Sequence, residues 1–593
     1  MKIEKDINNQ TRMLIKIFNI GEDHGHIARV LKSKLTSSQT AAPRYYLFKD
    51  HKKEESWRPV VSGCNSNTLG LSNLLSEALE SVCSAVEDPF EVISSEDMLY
   101  RIEALNKKLA EHNKKEESKE SDWREDFMLL GSDVTALFPS LSAEKTAKCV
   151  RSQILKSKME WENIDTRWLC LYIHLNRNLC SDISSISHLL PYKKKGRKGQ
   201  ESGMGSQECK QRYIEPNERS CWDWPDCSPT KEEVKELLGA MFEISIRFFF
   251  TNFVYTFGGQ IYIQGFGGPI GARLTMCVAR LVLQEWSEEF SRILKKCDLK
   301  ELLRAIYVDD SRGMFSKFKL GQRYNSEHEG LTFSEDQERE DIAEGKSRED
   351  ITEQEIRKIM NSINSDLVFT TETERDFETK RLPTLGFEIW SEKEGLRHSF
   401  FEKPMRSQIL TMERSSQSER SKFSILVNEM NRRFEMLDDH IDIEEKINII
   451  DHFSQQLVNS GYSKDKIREI ICSGLKGIMR KERERKERNS RYRGAHETLG
   501  DRLNKKLLEA TTWYKEGGGE ERIMDQIKEN KYKEGAWKGW RVRMRKRKRE
   551  DSHEDVLEKK KMQGVIFVPH TMNSELASRM REKLREFERV ILK

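Results

Sequence analysis

Two short acidic motifs constrain this chain more than any other feature of its sequence. Residues 307–310 read Tyr-Val-Asp-Asp, and residues 133–141 read Asp-Val-Thr-Ala-Leu-Phe-Pro-Ser-Leu. Each motif follows or contains a short apolar run, and this pattern predicts two strands that each end on an acid. Adjacent aspartates at a tight turn cannot both face an apolar core. At least one of them must therefore project into solvent or onto a cation.

The acids together predict chemistry at phosphorus that depends on metal ions. If the two strands lie side by side, the carboxylates of Asp133, Asp309 and Asp310 can hold two divalent ions about 4 Å apart, the arrangement that serves in-line displacement. One ion lowers the pKa of an attacking hydroxyl, and the other neutralises charge on a leaving pyrophosphate. Ligands that are all oxygen favour Mg²⁺, with Mn²⁺ as an alternative. A pair of adjacent aspartates is common by itself, so the strand context and the partner motif carry this interpretation.

Phe138 lies just after the first acid, beside Pro139. An aromatic ring at this point can press on the sugar of an incoming nucleotide and clash with a ribose 2′-hydroxyl. This interpretation predicts selection of deoxynucleotides. The alternative is that Phe138 is an ordinary core residue.

A glycine cluster lies between the two acidic motifs. Residues 264–272 read Gln-Gly-Phe-Gly-Gly-Pro-Ile-Gly-Ala, and an apolar, helix-like run follows from Leu274 to Trp286. Glycines allow a backbone to approach a base pair closely, and the N-terminus of a helix favours phosphate. Such a cluster has little specificity alone. The order of Asp133, glycine turn and Tyr-Val-Asp-Asp indicates a template-directed polymerase.

With these motifs in this order, the chain resembles a reverse transcriptase, and in particular those of Penelope-like retroelements. The resemblance runs from about residue 43 to 480 and departs from the family at 384–386, which reads Thr-Leu-Gly, at Glu402 in place of a basic residue, and at Ile270 in place of Met. Besides the motifs above, it is carried by segments 46–52 and 57–63 (fingers), 367–374, 382–387 and 401–404 (later palm strands and primer grip), and 457–462 with Ile467 (thumb).

The resemblance implies RNA-templated DNA synthesis, with an RNA template, a DNA primer or target, and dNTPs as partners. Asp133 and Asp309 would bind both metals with help from the Val134 carbonyl, and Asp310 would be a supporting acid. The remaining implied contacts are to the nucleotide (Lys49, Lys52, Arg58, Phe138, Gln264, Gly267 and Gly271) and to the primer or template (Tyr307, Phe401 and Lys403).

The implied fold is an α+β right hand with fingers, a palm of antiparallel sheet plus helices, and a helical thumb. Apolar residues spaced by three and four from 418 to 480 predict three amphipathic thumb helices, with Arg432 and Arg433 on the faces toward nucleic acid. The expected domains are an amphipathic arm (1–42), fingers (43–130), palm (131–405), thumb (406–480), a basic charged linker (481–563) and a small strand-helix segment (564–593).

Two insertions are expected to interrupt the palm. The second, near 318–350, is rich in glutamate and predicts a solvated loop. The first, near 190–230, contains a lysine run that either contacts phosphates or simply solvates a loop. Its Cys209, Cys221 and Cys227 invite a zinc interpretation, but they lack a CxxC pair. Packing of Trp222 and Trp224 against the palm is the favoured alternative.

Composition limits the setting of the protein. The 593 residues carry a net charge of only +4, so local basic clusters matter more than the total. The 11 scattered cysteines indicate a reducing compartment. The N-terminus lacks an apolar signal core, and the most apolar stretch, 242–257, is interrupted by Arg247 and Asn252, so no membrane association is expected.

The basic run 537–549 suits phosphate contact with aromatic stacking, nuclear import, or plain solvation. Nuclear localisation is the expectation. The Gly-Ile-Tyr…Tyr-Ile-Gly sequence of the nuclease found in related elements is absent from this chain. The rival interpretation is a catalytically silent, nucleic-acid-binding remnant of a mobile element, which would not need three intact carboxylates. An RNA-dependent RNA polymerase is disfavoured by Phe138.

Overall fold

The computed structural model describes residues 2–18, 41–48, 57–63, 66–86, 88–115, 122–159, 161, 164–193, 222–403, 408–438 and 440–490. The chain divides into two compact units, Met1–Arg397 and His398–Lys593. Several predictions concern residues outside the described ones: the roles of Lys49 and Lys52, zinc binding by Cys209 and Cys221, the lysine run after residue 193, the linker beyond residue 490, and the segment 564–593.

Several helices in the first unit begin at side chains that cap their free N–H groups. The hydroxyl of Thr230 accepts from the backbone N–H of Glu233, whose carboxylate accepts in return from the Thr230 N–H, and this capping box starts the longest apolar helix before the glycine cluster. The helices are α1 (Lys2–Ile17), α2 (Leu69–Ala85), α3 (Ser95–Lys115), α4 (Trp123–Asp126), α5 (Leu137–Ser140), α6 (Ala143–Lys156), α7 (Thr166–Asn176), α8 (Lys231–Thr251), α9 (Arg273–Lys296), α10 (Glu335–Ala343) and α11 (Arg348–Ile363).

The strands of the first unit form several sheets. They are β1 (Ala42–Phe48), β2 (Trp57–Val61), β3 (Phe127–Val134), β4 (Tyr192–Lys193), β5 (Trp222–Asp223), β6 (Val254–Phe257), β7 (Gln260–Ile263), β8 (Glu301–Tyr307), β9 (Asp310–Ser316), β10 (Gln322–Asn325), β11 (Gly330–Phe333), β12 (Phe369–Glu372), β13 (Leu382–Thr384) and β14 (Phe387–Glu392). The strand β15 (Gly395–Phe400) contains the division between the two units.

The central sheet has the strand order β12-β3-β9-β8, and each neighbouring pair is antiparallel. Its apolar residues are buried against α9 and α11, where the ring of Trp286 stacks on Phe369 at 4.4 Å. Residues 90–92 cover the β8 edge, because the Val92 N–H donates to the carbonyl of Ile306 at 2.8 Å. These observations confirm the α+β class and the strand expected before Asp133.

The first sheet has the order β2-β1-β6-β7, with a parallel pairing between β1 and β6 and antiparallel pairings on either side. The most apolar stretch of the sequence therefore splits between two elements. The helix α8 ends at Thr251, and β6 begins at Val254. Among the described residues, no helix is long and apolar enough to cross a bilayer.

The first part of the segment expected to be an amphipathic arm forms α1, and the apolar face of this helix is buried in the core of the first unit, with Leu14 and Ile17 fully covered. Trp222 and Trp224 pack against the same core, as the sequence predicted. The role of this segment as an arm stays a prediction.

The interpretation of 318–350 as a solvated loop is wrong. This segment folds into the hairpin β10–β11 and the helix α10. Asp341 is fully buried, and its carboxylate accepts from the guanidinium of Arg323 and, at 3.0 Å, from the Gly321 N–H. The Arg323 guanidinium opposes burial and lowers the pKa of Asp341. Part of the charge that suggested solvation is directed inward.

The second unit begins with the last residues of β15, and helices follow in its described part. It contains α12 (Glu419–Glu435), α13 (Ile443–Asn459) and α14 (Lys464–Ser490), where three helices were predicted, and α14 continues past the expected end at residue 480. The expected placement of Arg433 toward nucleic acid is wrong, because Arg433 is fully buried. Its guanidinium donates to Glu429 at 3.1 Å and to Gln456 at 2.7 Å, and Arg432 also pairs with Glu429 at 2.9 Å.

Candidate active site

The two acidic motifs meet at one end of the central sheet. In the antiparallel ladder, Asp133 pairs directly with Asp310, Asp310 pairs with Tyr307, and Asp133 pairs with Thr370. Directly paired residues project from the same face, with Cβ atoms about 5 Å apart. We call this line of residues, Thr370, Asp133, Asp310 and Tyr307, the carboxylate row. The pairing brings two of the three predicted catalytic acids together on one face.

The third acid lies in the turn between β8 and β9. Val308 adopts a left-handed conformation with φ of 57°, so β8 ends at Tyr307, one residue earlier than the apolar run predicted. The Asp309 carbonyl accepts from the Val134 N–H at 3.1 Å, which holds the turn against the end of β3. Asp133 and Asp309 are both exposed, whereas the Val134 side chain is buried.

A second line of residues crosses the same face, two positions further from the strand ends. It consists of Glu372, Gly131, Arg312 and Ala305, and we call it the arginine row. Arg312 is 6% exposed, and its guanidinium lies 3.3 Å from the Glu372 carboxylate. It also donates to the carbonyl of Pro383 at 3.2 Å through Nε. Burial lowers the pKa of Arg312, while the nearby carboxylates of Asp310, Glu372 and Asp133 oppose that shift.

The sequence analysis missed the arginine row, although its signal was present. A glycine stands two residues before Asp133, and an arginine stands two residues after Asp310. Alternation in strands places both on the same face as the acids. Only the strand pairing shows that they are opposite each other.

The glycine cluster contacts the segment that follows Asp133. Gly267 has φ of 80°, and a Cβ atom there would lie 2.3 Å from the Pro139 carbonyl oxygen. The Gly268 N–H donates to the Phe138 carbonyl at 2.8 Å. The Gln264 side chain donates to the carbonyl of Gly267 at 2.7 Å. Close packing against α5 therefore explains the need for glycine at this position, independently of any contact with a base pair.

Gly271 makes a similar contact with the first sheet. A Cβ atom on it would lie 2.3 Å from the Val61 carbonyl oxygen, and the Val61 N–H donates to Ile270 at 2.8 Å. The turn thus connects β2, which carries the exposed Arg58, to the segment beside the carboxylate row.

The other predicted contact residues are distributed as follows. The Tyr307 side chain is exposed in the carboxylate row, and the Phe138 side chain is half-buried against the core. Phe401 is half-buried and Lys403 is exposed, and both belong to the second unit.

The carboxylate row and Asp309 in the adjoining turn together have the chemistry to bind a divalent ion. Their donors are carboxylate oxygens, two from residues paired across the ladder and one from the turn, which is the donor type that Mg²⁺ and Mn²⁺ prefer. Within the described part of the chain, no three His, Cys, Asp or Glu side chains are already arranged as a metal cage. The site therefore offers the ligands without their final geometry.

No family model matches this sequence, and no curated protein matches it. Among solved structures, telomerase from Candida albicans in complex with a TWJ fragment of telomeric RNA is similar to this chain at 12% identity, covering 83% of this chain and 62% of that one, with a TM-score of 0.34. Apo telomerase from Candida tropicalis is similar at 12% identity, covering 80% and 62%, with a TM-score of 0.31. This chain thus spans less than two thirds of the length of these telomerase chains.

Proposed function

We propose that this protein is an RNA-directed DNA polymerase that adds deoxynucleotides to a primer 3′ end. The observation that supports it best is the direct pairing of Asp133 with Asp310, beside Asp309 in the adjoining turn. Asp133 and Asp310 belong to motifs 177 positions apart in the chain, and the ladder brings their carboxylates to the same strand ends beside the exposed Asp309. Clustered carboxylates of this kind are ligands suited to a divalent cation. The Penelope-like retroelement class is part of this proposal and rests on the sequence motifs.

Two Mg²⁺ ions, or Mn²⁺, would activate the primer hydroxyl and neutralise the leaving pyrophosphate when bound. Asp133, Asp309 and Asp310 would hold them, with the Val134 carbonyl as a further ligand. Tyr307 would support the primer end from the same row. Transfer of a phosphoryl group requires mainly positioning and charge neutralisation, so the fixed strand register is the main contribution of the protein.

The nucleotide would lie between the carboxylate row and the first sheet. Arg58 would pair with the triphosphate, together with Lys49 or Lys52, and the segment of Phe138 and Gly267 would form the wall beside the sugar. The hydrogen bond from the Gly268 N–H to the Phe138 carbonyl restrains the backbone at Phe138. This restraint would help to hold the Phe138 ring beside the sugar. Phe401 and Lys403 would contact the primer. The basic run 541–549 would direct the protein to the nucleus.

Primer extension on an RNA template tests the proposal. Asp133→Asn and Asp309→Asn should reduce extension at least a thousandfold, because an amide cannot replace a metal-binding carboxylate. Asp126→Asn is the matched control, since Asp126 is exposed and lies just before the other end of β3. Primer–template binding, measured by anisotropy, should stay near normal in all three variants. Equal extension by Asp133→Asn and the control would refute the proposal, and absence of extension by the wild type would favour the catalytically silent remnant.

Sugar choice tests the part of the proposal that concerns DNA. Phe138→Ala should raise incorporation of ribonucleotides relative to deoxynucleotides, because the clash with the 2′-hydroxyl is removed. Insertion kinetics for single nucleotides measure this ratio. If activity survives with an unchanged ratio, Phe138 is a core residue only.

A further inference from the structure

The carboxylate row and the arginine row lie next to each other on one face of the central sheet. Along β9, Asp310 and Arg312 are two residues apart, and along β3 the same spacing separates Gly131 from Asp133. Two residues of a strand cover about 7 Å. The buried guanidinium of Arg312 therefore lies one row away from the carboxylates that would bind the metal.

The neighbours of Arg312 in its row give the guanidinium room to reach across the sheet. Ala305 lies on one side and Gly131 on the other. A Cβ atom on Gly131 would lie 2.9 Å from Cγ and 3.2 Å from Oε1 of Glu372. Because Gly131 has no side chain, the Glu372 side chain can cross over it, and the Glu372 carboxylate lies 3.3 Å from the Arg312 guanidinium.

The charges of the two rows act on one another. Asp133 and Asp310 are directly opposite, and like charges in that relation repel. Arg312 offsets this repulsion, but its charge also repels a cation that approaches the carboxylates. Glu372 reduces that second effect by pairing with Arg312. The pair is asymmetric in burial, since the side chain of Arg312 is 7% exposed and that of Glu372 is 39% exposed.

We propose that Arg312 and Glu372, paired across Gly131, are positioning residues that set the affinity of the Asp133–Asp310 carboxylates for a divalent cation. This inference deepens the proposed function, on which it rests for the role of the cation. Arg312 weakens cation binding and Glu372 strengthens it. Neither residue needs to touch the cation, the primer or the nucleotide.

The test is a titration of the purified full chain with Mn²⁺ alone, read by the relaxation of water protons. Arg312→Met should lower the Mn²⁺ dissociation constant about tenfold, since a positive charge one row away from the carboxylates is removed. Glu372→Gln should raise it about threefold, because the charge of Arg312 is then less compensated and Glu372 is partly exposed to solvent. Arg312→Lys should restore most of the wild-type affinity.

The opposite signs separate this role from a merely structural ion pair. If the pair only held β9 to β12, both substitutions would lower the melting temperature and leave the Mn²⁺ affinity of folded protein unchanged. Equal affinities, or shifts in the same direction, would therefore overturn the proposal. If Arg312→Met fails to fold because the Pro383 contact is lost, Glu372→Gln decides alone, and an unchanged or lower dissociation constant refutes it.

Asp133→Asn identifies the site, because it should abolish the Mn²⁺ binding that the other variants shift. If wild-type binding survives this substitution unchanged, the cation lies elsewhere and the inference fails. The titration uses no nucleic acid and no nucleotide. Opposite shifts in a protein that extends no primer would therefore refute the proposed function while supporting the role of the ion pair.

Discussion

The central sheet and the first sheet differ in what covers them. Residues 127–132 of β3 are all buried, and the edge of β8 is covered by residues 90–92. In the first sheet, by contrast, Trp57 is 54% and Ile261 is 71% exposed. A strand that is buried on both faces holds its side chains in fixed places, whereas an exposed apolar sheet offers a contact surface. The chain thus keeps the carboxylates on a rigid support and leaves the first sheet available for a partner.

The aromatic residues of the two sheets show the same contrast. In the central sheet, Phe315 meets Phe290 of α9 edge to face, with ring centroids 5.9 Å apart. In the first sheet, Tyr255 stacks on Tyr262 of the neighbouring strand at 5.5 Å. The guanidinium of Arg44 lies over Tyr255 at 5.1 Å. Tyr255 is half-buried and also packs against the core, whereas Tyr262 is 40% exposed, as on a surface where bases could stack.

Truncation of a core ring should give the largest difference between the sheets. Phe315→Ala should lower the free energy of unfolding by about 3–5 kcal/mol, because a fully buried ring leaves a cavity. Ile261→Ala, on the first sheet, should change it by less than about 0.5 kcal/mol. Urea denaturation followed by circular dichroism measures both. Equal losses would mean that the first sheet is also covered in solution.

The glycine turn, which connects the two regions, should show the next largest effect. Gly267→Ala should cost about 2–3 kcal/mol, since its backbone is left-handed and the added methyl meets the Pro139 carbonyl. Gly265→Ala is the matched control, because nothing lies within 4 Å of its Cβ position. The same denaturation measurement applies. A similar cost for both variants would show that the turn does not pack against α5 as described.

The smallest expected effect is on binding alone. Trp57→Ala should weaken the binding of a single-stranded RNA oligonucleotide about tenfold, because one stacking partner is lost, and it should leave unfolding unchanged. Phe333→Ala, at a ring that is similarly exposed (57%) on β11, is the control. Fluorescence anisotropy measures the affinity. Identical affinities for the two variants would count against the first sheet as the contact surface.

In the central sheet, sequence patterns predicted the two strands that carry the acidic motifs but not their register. The apolar runs before Asp133 and Tyr307 identify β3 and β8, because alternation and burial act within one strand. The pairing of Asp133 with Asp310, and of Gly131 with Arg312, depends on hydrogen bonds between distant segments. The left-handed Val308 also has no local signal, since a β-branched residue rarely adopts that conformation.

Charge was the least reliable guide to position. The periodicity of α12 identifies its apolar stripe, but it does not reveal that Arg433 is buried and paired with Glu429. The acidic composition of 318–350 suggested a loop for the same reason, although Asp341 is buried with Arg323. In a sequence, the two charged residues of a buried ion pair look the same as two charged residues on the surface. Only the three-dimensional structure distinguishes buried, paired charges from exposed ones.

The cover over the β8 edge has a consequence for the order in which the protein can fold during synthesis. Residues 90–92 leave the ribosome early, but their partner Ile306 follows more than 200 positions later, and β12 later still. Each ordered segment must wait for a distant one, and contacts so far apart in the chain are slow to form. A fragment that begins after residue 92 would present β8 as an open edge, the kind of surface on which strands of separate molecules associate.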